Sequence, residues 1–171
     1  MKKILLALLM VVLFAVPVFA TPAGDSSCTA TVATSFTAND RIPDAETVIV
    51  TLACTGDSGD GSFPSTVVAL TPSATTTKPY NLYGYYLYQV GRKPGGTQPT
   101  ASYTVTITDT RSFAIDLALL TSNGSASAAQ LTLIANSTTG YPVVRSALTV
   151  AITGSTVHSA GITLDLIFKA K

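Results

Sequence analysis

The chain holds a single imidazole, His158, within Ser155-Thr156-Val157-His158-Ser159, so any mechanism that needs a histidine runs through that residue. A Ser-His-Asp arrangement would require Asp116 or Asp165 to orient it. No G-x-S-x-G turn is present to expose a nucleophilic serine. Hydrolysis by paired carboxylates would fall to Asp109 and Asp116. Asp109, however, closes a strand-like run just before Thr110-Arg111, where aspartate commonly accepts turn hydrogen bonds. Asp57-Ser58-Gly59-Asp60-Gly61 has calcium-loop character, but position 12 counted from Asp57 is Val68 instead of the glutamate of an EF-hand. A solvated Gly/Asp turn is the plainer expectation. Two cysteines and one histidine cannot build a Cys/His zinc site. Ten scattered basic residues and a net charge of +1 leave no electrostatic footprint for nucleic acid. The residues therefore predict a non-enzymatic protein with no cofactor and no metal.

The two cysteines are better read with the N-terminus. Met1-Lys2-Lys3 is a short basic start, residues 4–19 (ILLALLMVVLFAVPVF) are apolar, and Val18-Phe19-Ala20 offers small residues at both positions a signal peptidase reads. The run is short of the ~20 residues that span a bilayer. The expectation is a signal peptide over residues 1–20, followed by one domain over residues 21–171, with membrane contact only during export. Losing Lys2 and Lys3 moves the formal charge from +1 to −1. Outside the cytoplasm Cys28 and Cys54 are expected as a disulfide, since neither a CxxC spacing nor a basic neighbour marks them as reactive thiols.

One cluster stands out from this background. Five of the seven tyrosines fall within residues 80–88 (YNLYGYYLY). On a regular strand Leu82, Tyr86, Tyr88 and Val90 share one face, and Tyr83, Tyr85 and Leu87 the other. One face must meet the core. The other is a second packed face, a protein interface through Tyr83, Tyr85, Tyr86 and Tyr88, or a platform for sugar rings.

The elements that hold these residues are strands. Residues 103–109 (YTVTITD), 148–153 (LTVAIT) and 162–168 (ITLDLIF) alternate apolar with polar residues, and 47–54 (TVIVTLAC) is rich in β-branched side chains. Weaker candidates are 29–37, 65–70, 82–90, 113–119 and 131–135, and 126–131 (ASAAQL) allows one helical turn. Gly- and Pro-containing clusters at 56–61, 93–96, 122–124, 139–142 and 153–155 separate them. Residues 71–79 (TPSATTTKP) suit a long loop. The pattern predicts an all-β fold: one antiparallel two-sheet sandwich, jelly-roll or Ig-like, of about eight or nine strands. The triplets Asn123-Gly124-Ser125 and Asn136-Ser137-Thr138 match a glycosylation acceptor but are expected by chance in a chain with 27 threonines and 16 serines.

Motif order over residues 82–168 also carries a resemblance. Residues 84–90 (GYYLYQV), Pro94-Gly95, Pro99-Thr100, residues 103–109, Asp116-Leu117, residues 141–144 (YPVV), residues 147–154 (ALTVAITG) and residues 161–166 (GITLDL) follow one another as they do in a group of small β-rich bacteriophage structural proteins. The sequence resembles that group, departing from it at Arg111-Ser112-Phe113, where the group has a glycine-containing turn. The resemblance implies a structural, virion-associated or prophage-derived component.

Three functions follow as expectations. The first is a structural β-domain of a phage-like particle, and the second an exported surface or matrix module with adhesive or carbohydrate-binding capacity. The third is a secreted hydrolase, with His158 carrying its triad version. Charged residues make up only 11% of the chain, so threonine takes the solvent side of the strands and sheet edges carry little charge protection. That favours partners among other protein surfaces, including a second copy, over a free-standing catalyst.

Overall fold

The computed structural model describes residues 24–35, 47–69, 81–121, 124–135 and 140–170. The expectations for the signal peptide, the 71–79 loop, Tyr80, Asn123 and the triplet at 136–138 lie outside those residues. Among the described residues there are eight strands: β1 (Ser27–Ser35), β2 (Thr47–Thr55), β3 (Thr66–Val68), β4 (Tyr86–Pro94), β5 (Thr104–Asp109), β6 (Gln130–Leu133), β7 (Leu148–Thr153) and β8 (Gly161–Lys169). They form two antiparallel sheets, β1-β2-β8-β4-β6 and β3-β7-β5. The all-β two-sheet sandwich is therefore the fold.

Period-two alternation builds the core. Val48, Val50, Leu52 and Cys54 of β2 point inward beside Ile162, Leu164, Leu166 and Phe168 of β8. Val105 and Ile107 of β5 with Leu148, Val150 and Ile152 of β7 supply the opposing layer. These residues belong to one buried cluster. The expected C-terminal strand lies at the centre of the larger sheet, between β2 and β4. Its four inward side chains are each worth roughly 1.5–3 kcal/mol of burial.

Three local expectations are corrected. Residues 113–119 form turns against β5 and not a strand. The amides of Ile115 and Asp116 both donate to the Ile107 carbonyl, while Leu117 (φ 53) and Ala118 (φ 55) take left-handed backbone angles. An apolar run is used here to cover an edge: Phe113, Ile115, Leu120 and Gly124 bond in turn to Asp109, Ile107, Val105 and Tyr103. The second correction is the start of β4, at Tyr86 instead of Leu82, since Gly84 (φ 86) turns the chain just before it. The third is the helical turn at 126–131, where bends lead directly into β6.

The Cys28–Cys54 disulfide is present. It joins residues that face one another across the β1–β2 ladder. It is compatible with an oxidising, exported environment.

Candidate functional site

A β-bulge decides where the tyrosines go. Leu87 pairs with Phe168 and Gln89 with Ile167, leaving Tyr88 as the extra residue of β4. An extra residue re-phases the strand. Leu87, Val90 and Arg92 therefore all point inward, and Tyr86, Tyr88 and Gln89 do not. The regular-strand division of this segment fails at two points: the Gly84 turn separates Leu82 from β4, and the bulge re-phases Val90. Tyr86 and Tyr88 do share a face, as expected, but Leu82 and Val90 are buried on the other side of the sheet.

The four tyrosines singled out from the sequence separate into three environments. Tyr83 sits at the turn before β4 and is 62% exposed. Tyr85 packs against the core. Tyr86 and Tyr88 lie half-buried on the outer face of the larger sheet, where Tyr141 joins them at ring-centroid distances of 6.3 and 5.1 Å. Lys169 pairs with Tyr86 across the β4–β8 ladder. Its Nζ stands 3.6 Å from the centroid of the Tyr88 ring. Cation–π contact and tilted ring packing hold these side chains in one arrangement. Tyr141 and Lys169 were not anticipated as members. They reach the cluster through the isolated bridge Tyr86–Val143 and through strand register, neither of which is visible locally.

The cluster continues across the sheet. Register places Leu133, Gln89, Ile167, Ile49 and Ala33 in one transverse outward row. The next row is Leu131, Gly91, Asp165, Thr51 and Thr31. Leu131 and Leu133 are 62% and 45% exposed, and Asp165 is held by a 2.6 Å hydrogen bond from the Thr51 hydroxyl. The outer face of the smaller sheet is different: Thr104, Thr106, Thr108, Thr149 and Thr153 dominate it, with Val67 as its exposed apolar residue.

The residues considered for catalysis are held in separate places. His158 is exposed in the β7–β8 loop. Asp165 is committed to Thr51 on the sheet face. Asp109 accepts from the Arg111 and Phe113 amides and from the Arg111 guanidinium at 2.8 and 3.0 Å. Burial would raise its pKa, but those bonds outweigh it and hold the carboxyl below the usual aspartate value. The expected turn role of Asp109 is what the structure has. In the 56–61 loop Asp57 Oδ1 accepts from Gly59 and Asp60, and Asp60 Oδ1 accepts from Ser62. Asp57 Oδ2 and Asp25 Oδ1 exchange bonds with the Asp25 and Ser58 amides, docking the start of the described chain on this loop. The carboxylates of Asp25, Asp57 and Asp60 thus serve backbone amides. Among the described residues no group of His, Cys, Asp or Glu is arranged to hold a metal ion.

Polar groups also lie inside the sandwich, and of these only Tyr103, on the apolar side of the 103–109 alternation, was expected there. Arg92 is 2% exposed, and its guanidinium donates to the Thr132 hydroxyl at 3.2 Å and the Leu120 carbonyl at 3.5 Å. Tyr103 and Asp116 are buried too, and neither the Tyr103 hydroxyl nor Asp116 Oδ2 finds a hydrogen-bond partner among the described residues. Burial raises the pKa of both, with Arg92 partly offsetting it at Tyr103 and backbone amides partly offsetting it at Asp116. Arg92 follows Val90 by two positions and turns inward with it after the bulge, but its charge and its place near a turn gave no local sign of burial.

Comparison with family models, with curated proteins and with solved structures gives no match to the chain.

Proposed function

We propose that the protein is a non-enzymatic structural or binding domain that works in an exported setting and docks on another protein surface through the outer face of its larger sheet. The observation that carries this reading is the convergence of Tyr86, Tyr88, Tyr141 and Lys169 with exposed Leu131 and Leu133 on that one face. Tyrosines that combine apolar area with a hydroxyl are favoured anchors at protein interfaces. The same geometry favours a protein over a sugar. The rings tilt against Tyr141 by 58° and 47°, and Lys169 covers one face of Tyr88, so no flat pair of open ring faces is presented. The disulfide supports the exported setting.

A photo-crosslinking side chain at Leu133 tests the docking face, with one at Thr106 on the opposite face as control. The expected result is one recurrent protein adduct from position 133 and none from position 106, lost in a Tyr88→Ser variant. Equal labelling from both faces, or capture of glycans alone, defeats the reading. Cell fractionation addresses the setting. Protein found at the surface or in the medium agrees with export, whereas protein that copurifies only with phage particles supports the virion role that the motif order over residues 82–168 implies.

A further inference from the structure

Two sheets present four edges, and three are managed. β3 has three residues and β6 has four. The free side of β5 is covered by Phe113, Ile115 and Leu120, which bond to Asp109, Ile107 and Val105. β1 differs. It has nine residues and pairs with β2 at nine consecutive positions with no bulge. From Cys28 to Ser35 it carries no charge, no proline and no glycine. Among the described residues nothing pairs with its outer side. Natural edge strands of this length ordinarily carry lysine, proline or a bulge that stops further pairing.

β1 also overhangs the core. A five-stranded sheet faces one of three strands. Ala30 stands on the inner side, opposite fully buried Leu52, yet is itself exposed, and neighbouring inward Val32 is only half-buried. Among the described residues the backbone edge of β1 is therefore uncovered, and its inner side is covered only in part: Cys28 and Val32 pack against the core while Ala30 stays exposed.

We propose that β1 pairs antiparallel with β1 of a second copy about a two-fold axis at Thr31, joining the two larger sheets into one. The sequence is complementary to itself in that register. Thr29 falls opposite Ala33, Ala30 opposite Val32, and Thr31 opposite Thr31. Each pair keeps inward with inward and outward with outward side chains, and none is large enough to obstruct its partner. Val32 of each copy covers Ala30 of the other on the overhanging side. Such an interface is isologous and gains affinity from main-chain hydrogen bonds in the manner of strand addition. It is carried by the edge alone and stands independently of the docking face proposed above.

Sedimentation velocity on the disulfide-intact protein without residues 1–20 is the first test. The expected result is a dimer that dissociates on dilution. Thr31→Lys opposes like charges at the axis, and the dimer is expected to be lost while the circular dichroism spectrum and native disulfide remain. The register is tested by mixing Thr29→Cys with Ala33→Cys under mild oxidation. The mixture is expected to cross-link between copies. Thr29→Cys alone is not, because its two copies would sit roughly 13 Å apart along the strands. A wild-type protein that stays monomeric at every concentration overturns the proposal, as does a dimer that survives Thr31→Lys. A monomer whose β1 amides gain protection only beside a different protein assigns the edge to a foreign strand and equally overturns self-pairing. If Thr31→Lys does not fold, the mixed cysteine pair decides alone.

Discussion

Removing the disulfide should release one strand before it releases the fold. Cys28 and Cys54 are separated by 26 positions. Closing a loop of that size in the unfolded chain stabilises the native state by roughly 3.5 kcal/mol in the chain-entropy model. The bond matters most to β1, whose inward side chains contribute little: Cys28 and Val32 are only partly buried and Ala30 is exposed. Its remaining hold is the ladder to β2. Each ladder hydrogen bond is worth a net ~0.5–1.5 kcal/mol, while ordering each residue's backbone costs about 1–2 kcal/mol. Without the bond the ladder falls short of that cost. In the double variant Cys28→Ala with Cys54→Ala, hydrogen exchange should therefore lose protection over 27–35 and keep it over 161–169. The thermal midpoint should fall by about 7–14 °C, the shift expected for ~3.5 kcal/mol in a domain of this size. A midpoint moved by less than about 2 °C would refute the loop-closure reasoning. Simultaneous loss of protection in β1 and β8 would refute the view of β1 as a separately held edge.

Other perturbations address the interior. A Cβ on Gly124 would come within 2.6 Å of the Tyr103 ring and carbonyl. Gly124→Ala should therefore cost about 1–3 kcal/mol in urea unfolding, and an unchanged midpoint would mean the 113–124 cover yields freely. Burial raises the pKa of Asp116, so its stabilising share is fully present below the unfolded value of ~4 and is lost as pH rises through the raised folded value. Asp116→Asn should flatten that fall in the urea midpoint between acidic and neutral pH, and identical slopes in both proteins would count against it. Deleting residues 161–171 removes the central strand and should abolish cooperative unfolding, whereas a sharp transition in the truncated chain would show that β2 and β4 can pair without it.

Much of the frame was legible from the chain. In β5, β7 and β8 every second residue is buried, and apolar residues fill those positions except at Asp109, because a backbone that flips its side chains every residue turns the sequence pattern directly into an inside and an outside. Two cysteines in an otherwise cysteine-free chain leave one intramolecular pairing, and register brings them face to face. The 113–119 run misled for a reason of the same kind. Its apolar content is real, with Ile115 buried, but a segment that caps an edge uses turns and left-handed residues that composition does not reveal.

Strand identity, the disulfide and the low-charge surface were thus set by the sequence itself, because each depends on neighbours one or two residues apart or on the chemistry of the side chain alone. The candidate site was decided by tertiary structure. One extra residue at Tyr88 reverses the facing of everything after it in β4, so that Val90 and Arg92 turn inward with Leu87 while Tyr86 and Tyr88 stay outside. Tyr141 and Lys169 then arrive from elsewhere in the chain to complete the cluster. A bulge has no compositional signature, and pairing between distant strands is fixed by the whole packed sheet, so neither the burial of Arg92 nor the meeting of these four side chains could be read before the sheets were formed.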